Sequence, residues 1–271
     1  MNALQIMSMQ SFKRALLALL PILLSACSTL VPIPAATTGD ATQITAAEAQ
    51  SAWARVLKTY VNERGEVDFT ALSGDRKDLD RYVSFVATTP AKNFTEGAPR
   101  LAHYINSYNA LSMYNVIDLG IPKTNASLAS RYTFFIARKF TVGGETMSLY
   151  DYENKVIRAL GEPRIHWALN CSAVSCPVLP REPFVAETLD AQLESEARKF
   201  FADLRNARAD ANTREVWLTE IFSLFPEDFV PKHAPSFTHY ANRYRDTPLP
   251  TDFRIRITPY DWTIANSRRE R

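Results

Sequence analysis

Arg164-Ile165-His166-Trp167-Ala168-Leu169-Asn170-Cys171-Ser172-Ala173-Val174-Ser175-Cys176-Pro177 concentrates the reactive chemistry of the chain. It brings together a histidine, an asparagine and two of the three cysteines. Ile165, Trp167 and Leu169 alternate with His166, Ala168 and Asn170, the period-two pattern of a strand with two faces. Such a strand holds His166 about 16 Å from Cys171 and about 13 Å from Asn170, so the imidazole could share a pocket rim with Asn170 without reaching Cys171. The pattern predicts a strand that feeds a loop pinned at Cys171 and Cys176.

Helical signals dominate on either side. Thr45 and Glu48 form a capping box ahead of an apolar stripe at Ala49, Trp53, Val56, Leu57 and Tyr60. Val67 and Phe69 suggest a short strand, and Leu79, Tyr82, Val83 and Val86 a second helix over about 75–87. A third helix over about 98–119 is closed by Gly120 and Pro122. Its interior carries Asn106 and Asn109 on one face. Asparagine is a poor helix-interior residue, and a buried amide left without partners costs about 1–3 kcal/mol. These amides therefore either tie the helix to a neighbouring loop or line a pocket.

Gly143-Gly144 links two short runs as a hairpin. Ser148 caps a helix to about Leu160 that carries Asp151 and Glu153. Negative charge in its first turns suits the helix dipole, and Glu153 is the better site candidate. An amphipathic helix over about 187–205, strands at 215–222 and 253–257, and a polar helix over 237–244 complete the reading. The expected fold class is α+β, with helices packed on a small, mainly antiparallel sheet in a single domain over 45–266.

The 271 residues are 46% hydrophobic and 22% charged, enough for a well-buried core. The net charge of +2 comes with no basic stripe, which argues against nucleic acid as a partner.

At the N-terminus Lys13 and Arg14 precede an apolar run, Ala15–Leu24, too short to be a committed membrane span. The following Leu24-Ser25-Ala26-Cys27 resembles the lipobox of bacterial lipoproteins. That resemblance implies removal of residues 1–26 as a signal peptide and lipidation of Cys27, with palmitate among its acyl chains. Ser28, where a retained lipoprotein carries Asp, implies the outer membrane, facing the periplasm. Residues 27–44, rich in Thr, Ala and Pro, read as the acylated terminus and a flexible tether.

From about Trp53 to Trp262 the chain resembles the uncharacterised bacterial and plant family catalogued as domain of unknown function 547. Four ordered motifs carry the likeness. They are Tyr104-Ile105-Asn106-Ser107-Tyr108-Asn109-Ala110, the Pro163-to-Pro177 stretch, Ile221-Phe222 with Asp228-Phe229, and Tyr260-Asp261-Trp262. The family has no established chemistry, so the resemblance implies none. Asn106, Asn109, Asn170 and Asp261 stand as candidate binding residues of a pocket. A weaker likeness, in the helix carrying Asn106 and the strands after it, is to papain- and transglutaminase-like folds. Those place a nucleophilic cysteine at the start of such a helix, and this chain has none there. His103 stands where the family usually has an aromatic or apolar residue. Asn154 stands where many members carry a histidine, which removes an obvious general base.

Cys171 and Cys176 then admit several uses. A disulfide fits the spacing and an oxidising periplasm, and would fix the shape of the loop. A thiol nucleophile, Cys176 or Cys171, would need a base or partner such as His166 or Glu153. A redox pair and a metal site with His166 are also conceivable, but no fourth metal ligand is identifiable. The two expectations for function are a thiol-dependent amide hydrolase or acyl transferase acting on envelope peptides, and a non-enzymatic module with a disulfide-braced loop that binds an envelope peptide or protein. Neither requires a cofactor or a metal.

Overall fold

The computed structural model describes residues 28–33 and 44–269. The expected signal peptide (1–26), the lipidation site Cys27 and residues 34–43 of the expected tether lie outside the described residues. The described chain divides into two compact units where one domain was expected. One is Ser28–Asp203 with the stretch from Asp261, and the other is Leu204–Tyr260.

The larger unit opens with β1 (Thr29–Leu30) and α1 (Ala46–Tyr60). The capping box forms as predicted: Glu48 N–H donates to Thr45 Oγ1 at 3.2 Å, and Thr45 N–H donates to the Glu48 carboxylate at 2.8 Å. Ala49, Trp53, Val56 and Leu57 are buried along one face. The chain then turns through Gly65 at φ +73°. A Cβ there would lie 2.5 Å from Leu179 N and 2.8 Å from Val178 Cγ1, so the turn packs directly on the chain that leaves the cysteine loop. Gly65→Ala is expected to destabilise the unit by more than about 1 kcal/mol. An unchanged urea midpoint would contradict that close approach.

Phe69 begins α2 (Phe69–Gly74) and does not extend a strand. Asp68 decides the matter by capping the helix, accepting Ala71 N–H at 2.9 Å. Val67 makes only isolated bridges to Val61 and Asn266. Next come α3 (Lys77–Thr88), whose Tyr82 stacks on Trp53 at 5.4 Å, and α4 (Ala98–Asp118). Every residue of α4 from Leu101 to Ile117 is buried. A helix enclosed on all sides is the centre of a core and not its cover.

After α5 (Leu128–Tyr132), β2 (Arg138–Val142) and β3 (Glu145–Met147) form the predicted hairpin. Gly143 and Gly144 have φ +59° and +88°, as a two-residue turn that follows the strand twist requires. Their N–H groups donate to Val86 and Ala87 carbonyls at the end of α3, each at 2.8 Å. β1 pairs with β2 in parallel, Thr29 opposite Arg138 and Leu30 opposite Lys139. The start of the expected tether is thus part of the fold.

Ser148 caps α6 (Leu149–Asp151), but the helix widens into a π turn over Tyr152–Ile157 and tightens into a 3-10 turn at Arg158–Leu160. The expected strand at 165–169 is instead a 3-10 helix, Pro163–Trp167. Pro163 takes the first turn, where its missing N–H is no loss. Glu162 Oε1 accepts Arg164 N–H at 3.0 Å, and Ala168 and Leu169 both donate to Ile165 O. Ile165 through Asn170 are all buried, so the alternation that suggested two faces selects neither. Trp167 stacks on Phe200 (4.6 Å) and meets Phe201 edge-on (4.7 Å), both on α7 (Leu189–Ala202).

The smaller unit holds β4 (Ala207–Asp210), β5 (Glu215–Thr219), α8 (Ile221–Leu224), α9 (Phe237–Asn242) and β6 (Arg254–Thr258). Val216, Leu218, Phe222, Phe229 and Tyr240 are its buried centre. β5 pairs antiparallel with β4 and parallel with β6. Among the described residues there are therefore two mixed three-stranded sheets, not one mainly antiparallel sheet, and the class is α+β.

Candidate functional site

The site grows from the polar residues of α4. Asn106 Oδ1 accepts from Trp53 Nε1 (3.2 Å) and Phe184 N (3.0 Å), and its Nδ2 donates to Phe184 O (2.7 Å). Asn109 donates to Ala168 O (3.0 Å) and accepts Asn170 N–H (2.7 Å). Asn115, which the sequence reading did not single out, donates to Phe134 O (3.0 Å) and accepts from Arg138 Nε (2.6 Å). Each amide holds a different segment to the central helix. Asn106 and Asn109 thus act as ties, and their amide groups are committed to backbone and indole partners.

Asn170 continues the chain of ties inside the loop. Its Nδ2 donates to Pro177 O (2.8 Å) and its Oδ1 accepts Ser172 N–H (2.7 Å). Ser172 sits at φ +64° with its hydroxyl 3.2 Å from Ser112 Oγ on α4. Ala265 N donates to Ser172 O, Val174 N to Thr263 O and Ser175 N to Asp261 O. Asp261 reaches the loop through its own N–H, which donates to Ser175 Oγ at 2.8 Å, while its carboxylate accepts Thr263 N–H at 2.9 Å. Residues 170–177 are therefore fixed in shape by hydrogen bonds.

The structure places Cys171 and Cys176 at the two ends of this loop without a bond drawn between their sulfurs. Cys176 is buried and Cys171 half-buried. The backbone N–H of Cys171 donates to Cys176 Sγ at 3.0 Å.

Tyr108 is a candidate the sequence reading did not single out, although it lies inside a quoted motif. It is 1% exposed, and its hydroxyl donates to Glu153 Oε2 at 2.9 Å. Burial holds its phenol well above the ordinary tyrosine range, and the charges of Glu153, Cys171 and Cys176 act in the same direction. The hydroxyl is therefore a permanent donor to Glu153, and the carboxylate and both sulfurs lie within electrostatic reach of it. The signal available in the sequence was a tyrosine hydroxyl inside an apolar helix, which needs a partner.

His166 is 4% exposed on the 3-10 turn and meets Trp167 edge-on. Because that turn is not extended, the separation of about 16 Å from Cys171 that a strand would impose does not apply. Glu153 lies in the π turn, a helix distortion common at functional sites. Asn154 beside it donates to Tyr150 O (2.9 Å) and accepts from Arg158 Nη1 (2.5 Å). Among the described residues no three His, Cys, Asp or Glu side chains are grouped as metal ligands would be. No helix among them is long and apolar enough to cross a membrane.

Residues 92–201 match the family model described as a protein of unknown function, DUF547. The match runs from just before α4 to the end of α7, so Tyr108, Glu153, Cys171 and Cys176 all fall within it, and over that stretch the chain resembles the family. No curated protein and no solved structure matches the chain.

Proposed function

We propose that the protein is an outer-membrane lipoprotein, anchored through an acylated Cys27, that carries out thiol chemistry on acyl groups. The reaction class is amide hydrolysis or acyl transfer, and envelope peptides are the substrates. Cys176 is the nucleophile. The supporting observation is the Cys171 N–H aimed at Cys176 Sγ at 3.0 Å, with the buried Tyr108–Glu153 pair within electrostatic reach of that sulfur. The ties from Asn109 and Asn170 hold the loop so that this donor stays aimed at the sulfur.

In this reading the Cys176 sulfur attacks the carbonyl carbon, and a C–S bond forms as the C–N bond breaks. The thiol proton passes to Glu153, positioned by Tyr108, and from there to the leaving amine. Water, or an acceptor amine, then cleaves the thioester and restores the thiol.

The test is acylation of the reduced protein by an activated ester such as p-nitrophenyl acetate, read by mass spectrometry. Fragmentation of the peptide spanning 165–181 should place one acetyl group on Cys176, and Cys176→Ala should abolish it. Two results would sink the proposal. One is a quantitative Cys171–Cys176 bridge that survives mild reductant in protein purified from the periplasm. The other is an unbridged protein that takes no acyl group, which would favour the non-enzymatic binding module.

A further inference from the structure

Residues 27–44 read as a tether from sequence, yet its first residues are built into the larger unit. β1 pairs with β2, Val31 N–H donates to Lys139 O at 2.8 Å, and Tyr114 on α4 donates its hydroxyl to Pro32 O at 3.1 Å. Val31 is 2% exposed, whereas Leu30 and Ile33 on either side of it are 56% and 39% exposed. Leu30 and Ile33 are therefore large apolar side chains at the surface, three and six residues after Cys27.

Chain length decides the consequence. Thr29 follows Cys27 by two residues, which span at most about 7 Å. The headgroup layer on one side of a bilayer is about 5–7 Å thick. A free tether of some sixteen residues would instead give a root-mean-square reach of about 22 Å. Two residues cross the headgroups and leave no slack.

We propose that, with Cys27 acylated, the unit containing β1 and β2 is seated flush on the phospholipid surface, with Leu30 and Ile33 in the headgroup region. This rests on the lipoprotein reading above and is independent of the thiol chemistry. Two exposed aliphatic side chains suit a surface whose inner boundary is apolar, and the anchor itself brings that surface to them.

The full mature protein is reconstituted in phosphatidylethanolamine–phosphatidylglycerol vesicles doped with a phospholipid carrying a headgroup diazirine. It is then irradiated and digested for mass spectrometry. Crosslinks are expected at Lys139 on β2 as well as within 28–33. Insertion of about twelve Gly and Ser residues between Cys27 and Ser28 adds about 20 Å of reach. It should reduce the Lys139 crosslinks at least tenfold while leaving the anchor intact. An acylated protein without Lys139 crosslinks overturns the seating alone, as do crosslinks that the insertion leaves unchanged. A Cys27 peptide of unmodified mass overturns the seating and the lipoprotein reading together.

Discussion

Asn106→Leu is expected to destabilise the larger unit by about 3–5 kcal/mol, the largest effect of a single substitution foreseen here. The leucine keeps the volume but removes three buried hydrogen bonds, those to Trp53 Nε1, Phe184 N and Phe184 O. Each orphaned group costs about 1–3 kcal/mol in desolvation that water can no longer offset, and the added apolar area returns only about 1–2 kcal/mol. Asn109→Leu orphans two groups, Ala168 O and Asn170 N, so its loss should be smaller. Urea unfolding followed by far-UV circular dichroism gives both values. A loss under about 1 kcal/mol for Asn106→Leu would mean that the amide is not a structural tie, and the pocket-lining alternative would regain its place. Asn109→Leu should also impair acylation of Cys176, because Asn109 holds the residue that begins the loop.

The pattern of success and failure along the chain has a physical basis. Where a local rule and tertiary packing agree, the sequence suffices. Thr45 and Glu48 cap α1, Gly143-Gly144 turns the hairpin, and the apolar stripes of α1 and α3 are buried as written except for the half-buried Tyr60. The failures fall where packing encloses a segment on every side. In the 165–170 stretch all six residues are buried, so period two carries no information about faces, and the proline and glutamate that start the 3-10 turn decide instead. The partner of β1 lies over a hundred residues away on β2, and a two-residue strand leaves no periodic trace. The site divides in the same way. Glu153, Cys171 and Cys176 can be named as candidates by residue type, since few side chains can act as a base or a nucleophile. Tyr108 is not, because on a helix buried all round an aromatic residue reads as packing until its hydroxyl is seen to meet Glu153. The sequence expects at least one of Asn106 and Asn109 to be buried, and both are, but only the structure shows that they hold backbone groups 59 and 78 residues away.

His103 should make the larger unit sensitive to acid. It is 6% exposed on α4, stacked on Phe94 at 4.1 Å and edge-on to Phe85 at 6.3 Å, and its Nε2 has no hydrogen-bond partner. Burial among these rings lowers its pKa to about 4. An unfolded chain exposes the imidazole to water and titrates it near its ordinary value of about 6.5. Between those values the unfolded state binds the proton and the folded state does not, so stability falls as pH falls. The contribution is complete above about pH 6.5, is reduced by about 2 kcal/mol at pH 5, and is lost by about 3 kcal/mol once the pH passes below about 4. His103→Phe keeps an aromatic ring in the stack and removes the titrating group. The variant should be at least as stable as the parent at pH 7, because the orphaned nitrogen is gone, and its advantage should grow by about 2 kcal/mol on moving to pH 5. Carboxylates that titrate in the same range are common to both proteins and cancel in the difference. Urea midpoints at pH 5, 6 and 7 provide the measurement, and a constant offset between the two proteins across that range would rule out a buried neutral His103 as the source of acid sensitivity.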